Sequence, residues 1–183
     1  VYAPPHCPGI SLLLKNYRLS DDIAFRFGNR DWQEWPMDAG KFAAWVSATN
    51  GHGHLVNLFM DYETLGEHQW ADTGIFEFLR ALPEAVLAYP ENDFATVSEA
   101  ADRYPPADVY DVPHLSSWAD TERDLSAWLG NAMQTEAIRE LYQLEAQVKA
   151  LDDPALLADW RKLQTSDHFY YMCTKWFADG DVH

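Results

Sequence analysis

The sequence predicts an α/β part followed by an all-helical part, with the division near residue 115. Through the first part, strand-like and helix-like segments alternate, which is typical of parallel βα units. From Ser117 onward, apolar residues recur only at helical spacing. The 183 residues are enough for one domain with a buried core, or for one domain and part of a second.

Two strands and a helix are predicted in the first half of the α/β part. The run from Ile23 to Phe27 alternates large apolar side chains with smaller or charged ones, as a half-buried strand does. The segment HLVNLFM, which ends at Met60, is rich in branched and aromatic residues and predicts a buried strand. Between them, KFAAWVSA (41–48) has the apolar spacing of a short helix.

Capping residues predict where the next helices begin. Asp72 is a suitable N-cap for a helix whose apolar residues recur at helical spacing, and Pro83 is expected to kink that helix or to start a second segment. Further on, FATVSEAADRY predicts a short strand and then a helix with Ser98 as its N-cap.

The second part contains three predicted helices. The first ends at Gly130, which is a suitable C-terminal cap. The segment NAMQTEAIRELYQLEAQVKALDD then predicts one long amphipathic helix. Asp153 and Pro154 form the N-cap and first-turn pair that starts the third.

Composition excludes several classes of partner. The net charge is −16, from 13 Lys and Arg against 29 Asp and Glu, so nucleic-acid phosphates and anionic membrane surfaces would repel the chain. No apolar stretch approaches the roughly twenty residues that span a bilayer, and no signal-peptide pattern is present. We therefore expect a cytoplasmic protein whose two cysteines, Cys7 and Cys173, are free thiols.

The acidic stretch after HLVNLFM is the first candidate site. Catalytic groups in parallel α/β folds lie at the carboxyl ends of strands, which is where Asp61 falls. Burial beside the strand would raise the pKa of Asp61 toward a value useful for proton donation. Glu63 would point the same way if the strand continued. Alternatively, Asp61 caps a turn, and Glu63, Glu67 and His68 form a solvated loop.

Other catalytic or cofactor sites have weaker support. His52, His54 and His68 match neither the HExxH motif nor zinc-finger spacing. The chain has no GxSxG nucleophile elbow, no GxGxxG and no Walker loop. We therefore predict no metal and no cofactor.

A second candidate site surrounds Asp167 and His168, which are followed closely by aromatic residues. Helical spacing of Phe169, Met172 and Trp176 predicts a stripe that faces the core. An Asp among aromatic rings is equally suited to holding sugar hydroxyls. Both interpretations hold together if the rings pack while Asp167 faces a cleft.

Three segments resemble glycoside hydrolase family 57, specifically its α-amylase-like members: LSDDIAFRFGNRDW, NLFMDYETLGEHQWADTGIFEFLRALP and TSDHFYYMCTKWFADGDVH. The resemblance covers essentially the whole chain. It implies the C-terminal part of a (β/α)7 barrel over residues 1–115, followed by a helical bundle over 116–183 that closes the cleft.

The resemblance also implies a retaining hydrolase that acts on α-1,4-glucans or maltooligosaccharides without a cofactor. Asp61 matches the general acid/base, and Glu63, His68 and Asp167 match substrate-binding positions. The nucleophilic Glu would lie upstream of Val1, so the expected partner is the upstream part of the same catalytic domain, and this chain alone would be inactive. The alternatives are 4-α-glucanotransferase or branching activity, or a non-catalytic carbohydrate-binding module.

Overall fold

The computed structural model describes residues 1–7, 9–117, 119 and 121–175. The chain forms two compact units, Val1–Asp111 and Val112–His183. The helices of the first unit are α1 (Tyr17–Asp21), α2 (Ala39–Ser47), α3 (Ile75–Leu87) and α4 (Val97–Arg103). Those of the second are α5 (Ser126–Leu129), α6 (Ala132–Gln143), α7 (Glu145–Ala150), α8 (Pro154–Lys162) and α9 (Ser166–Tyr170). Shorter turns are a π-helical turn at Asp22–Arg26 and 3₁₀ turns at Tyr62–Thr64 and Ala71–Thr73.

The core of the first unit lies where α2 packs on α3 and on the π-helical turn. Phe42 is completely buried. Its ring centroid lies 5.7 Å from that of Phe78, which in turn lies 5.1 Å from that of Phe27, both in edge-to-face geometry. Because these aromatic contacts are fixed in geometry as well as buried, they hold the helices in one arrangement. The helix predicted over 41–48 is confirmed, with bounds Ala39–Ser47.

The strand predicted from Ile23 to Phe27 is wrong, because this segment is helical. Leu19, Ile23 and Phe27 are spaced by four residues and are all buried, whereas Phe25 is 65% exposed. Five residues are too few to distinguish a strand from a helix, because the apolar residues also fit one helical face once Leu19 is included. The burial of Leu19, Ile23 and Phe27, four residues apart, shows that this face packs in the core.

The strand predicted for HLVNLFM is also wrong. Val56 and Met60 pack against the core, but Leu58 and Phe59 are exposed. Across the described ranges no strand forms, and only single bridges occur, such as Tyr2 with Leu12. A strand needs a neighbouring strand to pair its backbone groups, and HLVNLFM has none here. The regular structure of the described residues is therefore helical, and the barrel stays a prediction.

Two of the predicted helix starts are corrected. Gly74, with a left-handed φ of 84°, directly precedes α3, so Asp72 lies in a 3₁₀ turn and does not cap this helix. Helix α3 then runs through Pro83, which does not start a second segment.

Helix α4 is capped by Thr96, not by Ser98. The Thr96 hydroxyl accepts a bond from the Glu99 backbone N–H, and the Thr96 backbone N–H donates to the Glu99 carboxylate. The Thr96 backbone N–H and the Thr96 hydroxyl both donate to the Glu99 carboxylate, and these two bonds lower the pKa of Glu99. The predicted strand before this helix is wrong, because residues 94–96 have no strand structure.

The second unit is helical throughout its described residues. The helix end at Gly130 is confirmed, and so is the start at Asp153 and Pro154, where the Asp153 carboxylate accepts bonds from two backbone N–H groups. The long helix predicted from Asn131 is wrong in one respect, since it is interrupted at Leu144 and forms α6 and α7.

A buried glutamine holds the second unit together. The Gln134 side chain is fully buried, and its Nε2 donates to the carbonyls of Ala127 (2.7 Å) and Phe169 (2.9 Å). Its Oε1 accepts from the N–H groups of Gly130 (3.0 Å) and Asn131 (3.1 Å). One amide therefore pairs four backbone groups from α5, the following turn and α9.

We predict that Gln134→Leu destabilises the chain by about 3 kcal/mol or more, because it leaves these backbone groups without partners. Urea unfolding followed by circular dichroism measures the change. The matched control is Gln147→Leu on the exposed face of α7, which should change the unfolding free energy by less than about 0.5 kcal/mol. Equal effects of the two substitutions would contradict the role given to Gln134.

Candidate functional site

The predicted site lies in the acidic loop, defined here as residues 61–70. The loop folds on its own backbone. The Glu63 carbonyl accepts bonds from the N–H groups of Glu67 (3.1 Å) and His68 (2.9 Å), and the Thr64 carbonyl accepts from Gln69 (2.9 Å). Because its main chain is paired internally, the loop presents its side chains from a defined backbone.

Buried polar side chains fix the acidic loop to the first helices. Gln69 is 6% exposed, and its Nε2 donates to the carbonyl of Ala24 at 2.9 Å. Just before the loop, the Phe59 N–H donates to the buried hydroxyl of Ser20 at 3.2 Å. The Ala24 carbonyl lies in the last turn of the helical segment, where helices leave carbonyls unpaired, so Gln69 both satisfies that group and positions the loop.

The structure places Asp61, Glu63 and His68 on this one loop, all with exposed side chains. The burial predicted for Asp61 is wrong, because the segment before it is not a buried strand. Glu63 lies in the 3₁₀ turn Tyr62–Thr64, so the strand continuation that would align it with Asp61 is wrong too. Asp61 and Glu63 are nevertheless only two residues apart, and both are exposed to solvent.

Exposed aromatic rings in and around the acidic loop were not singled out from the sequence. Tyr62 is 92% exposed and Trp70 65%, and Phe59, just before the loop, is 61% exposed. The signal in the sequence that could have identified these rings is their occurrence with Asp61 in the single stretch LFMDYETLGEHQW. Such rings can stack on the apolar faces of sugars while carboxylates accept bonds from hydroxyls.

The second candidate site begins α9. Asp167 and His168 are exposed, whereas Phe169 is buried and Met172 packs against the same apolar cluster. The core-facing stripe is confirmed for those two residues, and Trp176 lies outside the described residues. Asp167 belongs to the second unit, whereas the acidic loop belongs to the first.

Among the described residues, no group of three or more His, Cys, Asp or Glu side chains is arranged to hold a metal ion. In the same ranges, each helix is too short or too polar to cross a membrane.

Comparison with known proteins shows the family to which this chain belongs. The family model for glycosyl hydrolase family 57 matches residues 1–113, and the chain belongs to that family. A relative named "Putative alpha-amylase", from Methanocaldococcus jannaschii, is 43% identical over 185 aligned positions, which cover 96% of this chain and 39% of the relative. The chain thus spans about two fifths of that relative's length. No solved structure matches the chain.

We predict that Gly28→Ala loosens the acidic loop. A Cβ at Gly28 would lie 2.7 Å from Oε1 of Gln69 and 3.1 Å from Cγ2 of Thr73. Because Gln69 is held by its bond to Ala24, the clash should cost about 1–3 kcal/mol in the unfolding free energy. Urea unfolding measures the cost, and proteolysis within 61–70 reports on the loop.

The control for this prediction is Gly53→Ala, since a Cβ there meets no atom within 4 Å. It should leave both measurements nearly unchanged. If Gly28→Ala were as stable and as resistant to protease as Gly53→Ala, the close approach of Gly28 to Gln69 would not constrain the loop.

Proposed function

We propose that this chain is part of a retaining glycoside hydrolase that acts on α-1,4-glucans, with Asp61 as its general acid/base. The supporting observation is the acidic loop itself, where carboxylates and exposed rings stand on a backbone anchored through Gln69. Membership of glycosyl hydrolase family 57 supports the reaction type. The name of the relative, "Putative alpha-amylase", supports an α-glucan substrate.

The proposed mechanism needs two carboxyl groups on opposite faces of the scissile bond. Protonated Asp61 donates its proton to the glycosidic oxygen while a Glu attacks the anomeric carbon, at a carboxyl separation of about 5 Å. Asp61 then takes a proton from the incoming water, which releases the sugar from the Glu. We propose that this Glu lies in the complete protein outside these 183 residues.

Other residues would bind the substrate in this scheme. Glu63 and His68 lie on the same loop as Asp61 and can hydrogen-bond sugar hydroxyls. Asp167 is proposed to contact sugar from the second unit. The exposed carboxyl of Asp61 needs water excluded around it during the reaction, which substrate and the remaining part of the domain would provide, so the 183-residue chain alone should be inactive.

We predict that Asp61→Asn in the complete protein lowers kcat on maltooligosaccharides by about 10²–10⁴-fold, because the amide cannot donate or accept the proton. Reducing-end release measures the rate. The matched control is Asp72→Asn, an exposed aspartate just after the loop, which should keep full activity. An unchanged rate in Asp61→Asn would remove Asp61 from the catalytic role.

The same experiment separates the remaining alternatives through its products. Hydrolysis of maltotriose gives only shorter sugars, whereas transfer to a sugar acceptor gives longer ones, because the two reactions differ in the acceptor that Asp61 activates. A complete protein that binds maltooligosaccharides without converting them would be a binding module.

A further inference from the structure

The first unit contains a groove apart from the acidic loop. It lies between α1 with its π-helical turn, the segment that follows, and the end of α2, and it encloses about 670 Å³. Sites for small molecules typically have about 300–1,000 Å³, so the groove can hold a short oligosaccharide. No residue of the acidic loop lines it. We call it the Trp32–Trp45 groove.

Aromatic rings form the walls of the Trp32–Trp45 groove. The two indole centroids are 6.0 Å apart, with their planes inclined by 69°. The Arg26 guanidinium lies 5.9 Å from the Trp32 ring centre, and Lys41 Nζ lies 5.4 Å from that of Trp45. These contacts immobilise the indoles before any ligand binds, which lowers the entropic cost of binding. Tyr17 lines the same groove and is 71% exposed.

Most of the charged groups at the groove are paired. Asp22 Oδ1 accepts from Arg26 Nε at 2.6 Å, and Glu34 pairs with Lys41 at 2.7 Å. Of the lining charges, Arg18 is therefore the one outside these two pairs. The pairing favours a neutral ligand over an ionic one, because an ion would compete with pairs already formed.

The π-helical turn places two of these groups at the groove. Asp22 and Arg26 begin and end the turn, and Arg26 Nη2 also donates to the carbonyl of Arg18 at 3.1 Å. Turns of this kind occur mainly as single insertions and frequently lie at functional sites. Here the buried Asp22 carboxylate holds the Arg26 guanidinium in place, and the partly exposed Arg26 can hydrogen-bond hydroxyl groups.

We propose that the Trp32–Trp45 groove is an accessory binding site for a neutral α-1,4-linked oligosaccharide, an inference that rests on the proposed function for its choice of sugar. The rings offer stacking surfaces, and Arg26 and Glu34 offer bonds to hydroxyls.

The test measures binding of maltoheptaose to the 183-residue chain by calorimetry. Tyr17→Ala and Glu34→Gln should each weaken binding about fivefold to tenfold, which is the scale of one lost ring or hydrogen-bond contact. The matched controls are Tyr110→Ala and Glu91→Gln, which lie outside the groove and should bind as the unaltered chain does. Cellohexaose, the β-linked counterpart, should bind at least tenfold more weakly.

A spectroscopic signal locates the bound sugar. Maltoheptaose should change the tryptophan fluorescence, and Trp32→Phe should remove most of that change. Phenylalanine is used because Trp32 also packs against the core, and an unaltered melting temperature would show that the variant is folded. A fluorescence change that Trp32→Phe leaves intact would place the sugar elsewhere and overturn the proposal.

Binding to the 183-residue chain and conversion by the complete protein together separate this inference from the proposed function. If groove variants bind like the unaltered chain while the complete protein converts glucans, the groove fails and the function stands. If binding depends on Tyr17 and Glu34 while the complete protein converts no glucan, the function fails and the binding site stands.

Discussion

The bond from the Gln69 side chain to the carbonyl of Ala24 is the constraint on which the candidate site depends. It joins residues 45 positions apart in sequence and is buried at both ends. A buried amide without this partner would cost about 1–3 kcal/mol, so the acidic loop is stable where the bond can form. Gly28 belongs to the same arrangement, because a side chain there would meet the Gln69 oxygen.

Each unit uses a buried glutamine in a similar way. Gln69 completes the end of a helical segment in the first unit, and Gln134 pairs four backbone groups in the second. In the described part of the chain, no buried side-chain nitrogen or oxygen lacks a partner. Short helices leave many backbone groups unpaired at their ends, and these amides compensate for that.

Large aromatic residues have two separate roles in this chain. Phe42 and Phe78 form the core of the first unit, whereas Tyr62 and Trp70 are exposed in the acidic loop. Isolated exposed rings are common on soluble proteins, but exposed rings beside carboxylates on an anchored turn are suited to sugar recognition. Aromatic residues make up 14% of the sequence, but composition alone does not show which rings are exposed.

The sequence by itself determined the features that depend on neighbours within one helical turn, together with the family. The cap at Asp153 and the apolar face of α2 follow from residues three or four apart, and the motif around Asp61 carries the family resemblance. Only the tertiary structure decided that Ile23 to Phe27 is helical, that HLVNLFM forms no strand, and that Asp61 is exposed. Those outcomes depend on contacts between distant segments, such as Gln69 with Ala24 and Trp32 with Trp45, because strand pairing and burial are properties of neighbours in space.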